Sequence, residues 1–377
     1  MERDPLRTQQ EGTARPGHLG PDGSGGPALP CVAMRPEEIT AAWLSSVLGG
    51  EVDSVTSRPV GDGHVSTSLR LRLESADPAV PASLIAKLPA QDERSLLLAA
   101  AVRSYEFEVR FYRELAHTVD IRVPECRFSD WTPETNDYVL LLEDMAPAVQ
   151  GDQVTGCTIE QAKIAVRALA ALHGPRWSDP TLADLEWLPG NDPDASNDSW
   201  AMMWQMFFPG FAETYAGYLT PEMLELAERF GPEVVRFFDG RAEPFSLVHT
   251  DYRLDNMLFG TADGDDVVTV VDWGSPRRGL PLIDLAYFLG AGLLPADRRA
   301  HERELVDLYA ESLAAYSVDV DAEWLWEQYR REAFHGLTIT VLTSQMVTMN
   351  PRSLDMFGAM ASRHLQHALD LDSISLI

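Results

Sequence analysis

The stretch LVHTDYRLDNMLFG spans Leu247 to Gly260, and VVTVVDWG follows it from Val267 to Gly274. Three polar residues, Asp251, Asn256 and Asp272, lie among apolar, strand-like runs. Carboxylate and amide oxygens are ligands for Mg²⁺, and carboxylates also exchange protons. The two stretches together therefore predict short strands that position one polar site, and this site decides the expected fold.

The spacing of these polar residues matches the catalytic loop of kinases. That loop reads His-x-Asp, four residues, then Asn, and a second Asp opens a D-x-G turn after the next strand pair. His249, Asp251 and Asn256 reproduce the loop, and Asp272 with Gly274 reproduces the turn. We predict that Asp251 accepts or orients the proton of an attacking hydroxyl, while Asn256 and Asp272 bind Mg²⁺. The alternative, a polar turn between two strands, leaves the joint occurrence of loop and turn unexplained.

The loop contains two further residues with a predicted role, Arg253 and His249. Arg253 stands two residues after Asp251, where many protein kinases place a lysine that reaches the transferred phosphate. It either stabilises charge during catalysis or forms an ordinary ion pair within the loop. For His249 we expect a structural role that supports the loop.

A candidate phosphate-binding lysine lies in the apolar strand SLIAKLP. Lys87 is the only cation of that strand, which is the context of the lysine that contacts nucleotide phosphates in kinases. Its partner is expected on the following helix, where YEFEVRFY offers Glu106 and Glu108. Glu108 is preferred because Tyr105 and Tyr112 share its helical face, whereas Glu106 points about 160° away. The alternative for these acids is a surface ion pair.

Two other segments are candidates for nucleotide contacts. The turn VGDGHVST, Val60 to Thr67, carries Gly61 and Gly63, whose backbone amides could lie against phosphate. It is not a GxGxxG loop, and hairpins also use such glycines for turn geometry alone. The strand end LLLEDMAP places Glu143 and Met145 where a hinge would bind adenine, although an ordinary strand end looks similar.

The surrounding pattern predicts an α+β, protein-kinase-like fold with two lobes. A helix is expected from about Arg94 to Ala116, and the chain reads as mostly helical from Thr158 and again after Gly279. The domain boundaries expected are a disordered tail at 1–33, an N-terminal nucleotide-binding lobe at 34–145 and a C-terminal catalytic and substrate lobe at 146–377. Alternating apolar residues predict a five-stranded antiparallel sheet from Val52 to Pro59, Ser66 to Leu73, Ser83 to Leu88, Val123 to Phe128 and Asp137 to Leu142.

Composition limits the possible partners. The net charge of −28, from 58 acidic and 30 basic residues, disfavours nucleic acids and anionic membranes. Cys31, Cys126 and Cys157 are widely spaced and form no CxxC, so neither a disulfide framework nor a zinc site is expected. No apolar run approaches the length of a membrane span. We expect a soluble, cytoplasmic protein, and the sequence leaves its oligomeric state open.

The segments HTDYRLDNMLF, VVDWGSPRRGLPLIDLAYFL, LIAKLP and LLLEDM resemble the aminoglycoside phosphotransferase superfamily, especially its ecdysteroid-kinase-like branch. The resemblance covers the chain from about Arg35 to the C-terminus. It implies a protein-kinase-like fold and transfer of the γ-phosphate of ATP to a hydroxyl on a small molecule. By the same resemblance, Asp251 is the base, Asn256 and Asp272 are the Mg²⁺ ligands, and Lys87 with Glu108 positions the phosphates.

Two positions depart from that family pattern. Thr250 stands where the family usually has glycine, and Gly274 stands where some relatives carry glutamine. Neither change removes a catalytic group, so we expect an active enzyme in preference to a nucleotide-binding sensor of the pseudokinase type.

Asp284 matches a family Asp for which the resemblance implies a structural role. The short segment between Asp272 and Asp284 argues against a protein kinase.

The acceptor is suggested by apolar composition. Trp200 to Phe211 reads WAMMWQMFFPGF, and four further methionines, Met346, Met349, Met356 and Met360, lie near the C-terminus. Thioethers and flat rings suit an adaptable apolar pocket, although an ordinary helix core has the same composition. We expect a lipophilic alcohol or one of mixed polarity. The alternative is a cationic aminoglycoside, which the charge of −28 favours, and the choice between ATP and GTP stays open.

Overall fold

The computed structural model describes residues 35–61, 65–190, 197–261 and 264–377. The expectations for the tail at 1–33 and for Gly63 lie outside the described residues. Within these ranges the chain forms an antiparallel sheet with packed helices, followed by a mostly helical lobe, which confirms the predicted fold class.

The sheet of the small lobe has five antiparallel strands in the order β1-β2-β3-β5-β4. Alternation along β2 buries Leu69, Leu71 and Leu73 on one face, as the sequence pattern predicts. The fourth strand begins at Cys126, later than predicted, because Pro124 has no N–H to donate to a ladder. The strands are β1 (Ser54–Pro59), β2 (Ser66–Glu74), β3 (Ser83–Pro89), β4 (Cys126–Thr132) and β5 (Asp137–Glu143).

A short helix, α1 (Ala41–Leu48), covers one face of this sheet. The Thr40 hydroxyl caps it by accepting a hydrogen bond from the Trp43 N–H, and Gly49 ends it with a left-handed φ of 73°. Trp43 and Leu44 are buried in the core beneath the sheet.

The predicted helix from about Arg94 to Ala116 is two helices. α2 (Glu93–Ala101) ends before Arg103, whose φ of 55° lies in the left-handed region and cannot continue a helix. α3 (Ser104–Arg110) then starts in a new direction and continues as a wider π-helical turn through Leu115. The break lets α3 lie under the sheet, and it brings Glu108 beside Lys87 of β3.

The large lobe consists of helices and two small sheets that hold its loops. The sheets are β6-β8-β9 and β7-β10. The helices are α4 (Ile159–His173), α5 (Asp198–Thr214), α6 (Pro221–Phe230), α7 (Val234–Asp239), α8 (Leu282–Gly292), α9 (Pro295–Leu313), α10 (Ala322–Arg331), α11 (Ala333–Met346) and α12 (Pro351–Asp370), and the strands are β6 (Val149–Gln150), β7 (Ser246–Val248), β8 (Met257–Thr261), β9 (Gly264–Val270) and β10 (Arg277–Gly279).

The two small sheets position the polar site. The loop with Asp251 and Asn256 joins β7 to β8, and Asp272 follows β9 directly. α8 is buried along its whole length and forms the floor beneath this loop. Among the described ranges, no helix combines the length and the apolar character that crossing a membrane would take.

Candidate active site

The loop after β7 is held from below by a buried carboxylate. Asp284, on α8, accepts hydrogen bonds from the backbone N–H of His249 at 2.7 Å and of Thr250 at 2.8 Å. Its side chain is fully buried and also contacts His173. Two charge-assisted bonds to consecutive amides fix the direction of the loop. Asp284 therefore acts on the loop backbone, the role expected from the sequence.

His249 links the loop to the strand that carries Asp272. Its Nε2 lies 3.1 Å from the Val271 carbonyl oxygen, so Nε2 is the protonated nitrogen. Nδ1 is then an acceptor, and it receives the Asp251 backbone N–H at 3.2 Å. Both ring nitrogens are occupied by backbone groups. This arrangement fits a residue that supports the loop.

The carboxylate of Asp251 is surrounded by donors. Nδ2 of Asn256 donates to it at 2.8 Å, Nε of Arg253 donates to both of its oxygens at 3.0 and 3.1 Å, and the Tyr287 hydroxyl donates at 3.1 Å. The Asp251 side chain nevertheless remains 29% exposed. The carboxylate is thus oriented by its neighbours and accessible from the cleft.

Arg253 is placed as a loop ion pair. In addition to Asp251, its guanidinium contacts Asp255 at 3.0 Å. Asp255 in turn accepts Arg352 at 2.9 Å and the Gln153 backbone N–H at 2.9 Å. Because these carboxylates occupy the guanidinium, the geometry favours the second sequence interpretation of Arg253, in which it fixes the position of Asp251.

A lysine with two carboxylates joins the lobes. Nζ of Lys87, on β3, donates to Oε1 of Glu108 at 2.6 Å and to Oδ1 of Asp272 at 2.9 Å. The other oxygen of Glu108 accepts the Tyr138 hydroxyl at 2.6 Å. The Lys87 ammonium holds the pKa of the Asp272 carboxyl below its ordinary value of 3.8, although burial acts in the opposite direction. Asp272 is therefore ionised at neutral pH.

The other acid considered from the sequence, Glu106, takes a different position. It points away from Lys87, as expected, but it is buried rather than on the surface. Arg103 donates to both of its oxygens at 2.9 Å, and Arg110 lies 3.2 Å away. The break before α3 brings Arg103 close enough to neutralise Glu106.

The turn that carries Asp272 is packed tightly against the small lobe. The indole of Trp273 is fully buried and stacks on Phe111 with ring centroids 3.8 Å apart. Gly274 passes so close to α3 that a Cβ there would lie 3.3 Å from the Ser104 Cβ. Glycine at this position is therefore explained by close approach, and larger residues would displace the turn.

The side-chain oxygens of Asn256 and Asp272 could serve as ligands for a hard divalent cation. The Val271 N–H donates to the Asn256 carbonyl oxygen at 3.0 Å, which places the Asn256 and Asp272 strands side by side. Nδ2 of Asn256 is bound to Asp251, so its Oδ1 is the atom left to serve as a ligand. Two oxygen ligands suit Mg²⁺, which takes few protein ligands and completes its shell with phosphates and water. In the described part of the chain, no cluster of three or more acids, histidines or cysteines forms a cage for a metal.

The nucleotide side of the cleft contains the remaining predicted residues. Gly61, Glu143 and Met145 all line it, together with Lys87. Gly61 has a φ of 72°, which favours glycine at the start of the turn. Arg70 pairs with Asp144 at 2.9 Å and fixes the segment after β5.

The cleft has a volume of about 700 Å³ and continues past Asp251 into the large lobe. Its far wall is mostly apolar. Of the run from Trp200 to Phe211, Trp200 lines the cleft, whereas Trp204 and Phe211 are buried in the core and Met202 and Met206 are exposed. The far wall also includes Phe238, Tyr287, Ile339, Met346, Val347, Met356, Phe357 and Met360.

Sequence reasoning missed several residues of the site. Tyr287 follows Asp284 by three positions on α8, so helical spacing could have placed it beside the loop. Tyr138 and Asp255 had no such signal, because their contacts with Glu108 and Arg253 arise from strand pairing and loop folding. The motif alone therefore did not identify the neighbours that hold the functional side chains in place, namely two tyrosine hydroxyls and one carboxylate.

Known structures share this architecture. Choline kinase from Cryptosporidium parvum aligns with a TM-score of 0.56 at 10% identity, over 86% of this chain and 91% of that chain. Ethanolamine kinase from Plasmodium vivax aligns at 0.53 and 12%, over 87% and 85%. The GDP complex of aminoglycoside 2'-phosphotransferase-IIIa aligns at 0.53 and 12%, over 85% and 94%. These likenesses establish the fold.

The family is established by the sequence itself. No curated protein matches the chain significantly. The sequence profile of the phosphotransferase enzyme family matches residues 69–331, which is more than half of the chain and includes the whole catalytic loop. This match confirms the resemblance to the aminoglycoside phosphotransferase superfamily. The chain belongs to the phosphotransferase enzyme family.

Proposed function

We propose that this phosphotransferase is a Mg²⁺- and ATP-dependent kinase that transfers the γ-phosphate to a hydroxyl group of a lipophilic small molecule. The observation that carries the proposal is the bridge from Lys87 to Glu108 and Asp272, at 2.6 and 2.9 Å, in the cleft that also contains Asp251. Lys87 of the small lobe and the carboxylates of Asp251 and Asp272 in the large lobe then face the same triphosphate.

The nucleotide is assigned to the side of the cleft formed by the sheet. The segment after β5 would bind the adenine, since the Met145 N–H makes no hydrogen bond within the described ranges. Lys87, held by Glu108, would contact the phosphates, and the turn that begins at Gly61 would cover them. ATP is preferred here on the family resemblance.

Asn256 and Asp272 are the residues that would hold Mg²⁺. The lowered pKa of Asp272 keeps its carboxylate charged, which is the form that binds a cation. When bound, Mg²⁺ offsets the negative charge that the phosphate oxygens carry during transfer.

Asp251 is assigned the proton of the acceptor. The hydroxyl oxygen forms a bond to the γ-phosphorus while the bond to the bridging oxygen breaks, ADP leaves with that electron pair, and the hydroxyl proton passes to Asp251. Arg253 and Tyr287 hold the carboxylate in position through bonds of 3.0 to 3.1 Å. Arg253 is therefore proposed to act through Asp251.

The apolar far wall supports a lipophilic acceptor. Trp200, Met356 and Met360 line it, and the carboxylates that line the cleft lie near the loop or near the nucleotide side. An aminoglycoside carries several ammonium groups, each of which would need an acidic partner when removed from water. The described part of the far wall offers no such set of acids.

The proposal is tested by a screen for transfer. Purified protein is incubated with ATP and Mg²⁺ and with panels of fatty alcohols, sterols, polyketides and aminoglycosides, while ADP release and product mass are measured. We expect phosphorylation of at least one lipophilic alcohol. The Asp251→Asn variant should bind ATP normally and lose product formation by several orders of magnitude.

Two outcomes would count against the proposal. Phosphorylation confined to aminoglycosides would replace the lipophilic acceptor with a cationic one. Nucleotide binding without any product, together with unchanged ligand binding in Asp251→Asn, would favour the non-catalytic sensor.

A further inference from the structure

The cationic side chains of the cleft are neutralised with one exception. Among the described residues, five lysines and arginines line the cleft, and four of them contact a carboxylate. Arg70 pairs with Asp144, Lys87 with Glu108, and both Arg253 and Arg352 with Asp255. The fifth, Arg277, forms no ion pair with any described residue.

Arg277 lines the cleft from β10, close to His335 of α11. Its backbone pairs with Val248, so the strand fixes its position. Its Nε is shielded from solvent and has no hydrogen-bond partner in the part of the chain that the structure describes. Burial, together with the nearby Arg241, lowers the pKa of Arg277 from 12.5 to about 10, although the Asp284 carboxylate acts in the opposite direction, so the guanidinium still carries its charge at neutral pH.

A second donor without a partner lines the same region. The Nδ1 of His335 lies 3.1 Å from Nη2 of Arg241, which can only donate, so Nδ1 is the acceptor. Burial and the guanidiniums of Arg241 and Arg277 lower the pKa of His335 well below 6.5, which leaves the ring neutral. The single ring proton therefore sits on Nε2. That N–H has no partner among the described residues, and it is shielded from solvent because His335 is only 4% exposed.

The acidic groups near these two donors do not balance the arginines. The Asp284 carboxylate acts on Arg277 without forming an ion pair with it, and it is already bound by the backbone N–H groups of His249 and Thr250. Arg241 and Arg331 share one carboxylate, that of Glu332, at 2.5 and 2.8 Å. The neighbouring Arg278 is paired separately with Glu243. This end of the cleft thus holds an excess of positive charge in a chain whose net charge is −28.

We propose that the acceptor is an amphiphilic hydroxy acid, whose carboxylate binds Arg277 and the Nε2–H of His335 while its hydroxyl lies at Asp251. The inference rests on the proposed function and names its substrate class. A shielded N–H of a charged guanidinium and a buried imidazole N–H each cost stability unless a bound group satisfies them. A planar carboxylate fits the guanidinium fork, and the apolar wall receives the body of the molecule.

The same features exclude cationic acceptors. An ammonium group placed at this end would face Arg277 with no carboxylate between them. Like charges in a partly desolvated site repel strongly, so amino alcohols should bind worse than neutral alcohols of the same length. The expected order of affinity is acid, then neutral ester, then amine.

The test compares matched probes in binding and in turnover. Series of ω-hydroxy fatty acids of increasing length, their methyl esters and the corresponding ω-hydroxy amines are titrated into protein with a non-hydrolysable ATP analogue and Mg²⁺, using calorimetry. Wild-type protein should bind the best acid about tenfold to a hundredfold more tightly than its ester. Hydroxyalkyl phosphates and sulfates form a further arm, which separates a carboxylate site from a general anion site.

The variant Arg277→Met keeps side-chain length without charge, and Arg277→Lys keeps the charge without the fork. We expect Arg277→Met to lose the preference for the acid and to leave the affinity for the ester and for the ATP analogue unchanged. Arg277→Lys should retain part of the preference. The matched control is Arg278→Met, because that arginine does not line the cleft and is paired with Glu243. A melting curve with the ATP analogue confirms that each variant is folded.

The results separate the two proposals. Acid binding that depends on Arg277 without product would support the anion site and contradict the kinase function. Product formation from neutral alcohols, with equal affinity for acids and esters in wild type, would overturn the anion site alone. An acid preference that persists unchanged in Arg277→Met would also overturn it. A preference for phosphates or sulfates over carboxylates would reject the hydroxy acid.

Discussion

Thr250 and Asp272, on either side of the catalytic loop, have left-handed backbone angles, with φ of 69° and 68°. Such angles cost about 1 to 3 kcal/mol in residues other than glycine, so the surroundings must compensate. Asp284 accepts the Thr250 N–H, and Lys87 binds the Asp272 carboxylate. Two charged groups therefore hold the two strained residues in their left-handed conformations.

We predict different effects for two changes in this support. Thr250→Gly relieves the backbone strain and loses the hydroxyl contacts with Ser275, so stability should change by no more than about 1 kcal/mol and turnover should persist. Asp284→Asn replaces one acceptor oxygen with a donor, so kcat should fall about a hundredfold while the KM for ATP stays near wild type. Steady-state kinetics on an acceptor from the screen measure kcat and the KM for ATP, and urea unfolding measures the change in stability. Wild-type kcat in a folded Asp284→Asn protein would contradict the positioning role.

The choice between Glu106 and Glu108 gives a matched pair of variants. Glu108→Gln leaves Lys87 with Asp272 as its only acidic partner, and the affinity for ATP should drop about tenfold or more. Glu106→Gln disturbs contacts with Arg103 and Arg110 but none with Lys87, so nucleotide affinity should be unchanged. Calorimetry with an ATP analogue compares the two. Equal losses in both variants would show that general destabilisation of α3 is the cause.

At the scale of elements, the sequence predicted those features that local rules determine. The strands of the sheet follow from alternation, and α4 begins where the helical pattern after Thr158 predicts a helix. The catalytic loop follows from motif spacing. The break between α2 and α3 was missed, because Val102 and Arg103 carry no helix-breaking signal and the left-handed angle at Arg103 arises from tertiary packing.

The sequence also could not predict that Arg277 and His335 lie together in the cleft. Arg277 and His335 are 58 residues apart in the numbering, and only the packing of α11 in the large lobe, where it lies against α8, brings them to one wall. Nothing in the residues near Arg277 indicates that it lacks a carboxylate partner, since Glu243 pairs with Arg278 instead. Charge balance within a cleft is a property of the folded chain.

The close crossing of α11 and α12 requires a residue without a side chain at position 336. A Cβ at Gly336 would lie 2.0 Å from the ring of His364. Alanine is a better helix former than glycine by about 1 kcal/mol, but forcing the two helices apart costs more. Gly336→Ala should therefore lower the free energy of unfolding by about 1 to 3 kcal/mol. Gly217→Ala is the control, because nothing lies within 4 Å of its Cβ position, and it should be neutral in urea unfolding.

At the scale of the whole molecule, buried histidines couple stability to pH. His335, His364 and His367 lie in the core around α11 and α12, and burial lowers the pKa of each, that of His364 to about 3. The unfolded chain binds these protons near the ordinary value of 6.5, while the folded chain excludes them. Their contribution to stability is thus fully present above 6.5 and is lost as the pH falls towards 3.

We therefore expect the free energy of unfolding to decrease below pH 6.5, by up to about 1.4 kcal/mol per pH unit for each such histidine. His364→Leu removes one titrating group and should flatten this slope. His117→Gln changes an exposed histidine and should leave the slope unaltered. Urea unfolding at a series of pH values measures it. An unchanged slope in His364→Leu would show that this histidine titrates alike in both states.

The proposed function of the whole cleft depends on one metal-dependent nucleotide site shared by the two lobes. Its most direct test is the affinity for ATP with and without Mg²⁺, measured by calorimetry in wild type, Asp272→Asn and Asp251→Asn. We predict that Mg²⁺ tightens ATP binding in wild type and in Asp251→Asn, and that Asp272→Asn loses this gain. Metal-dependent binding that survives in Asp272→Asn, or wild-type binding that ignores Mg²⁺, would contradict the site.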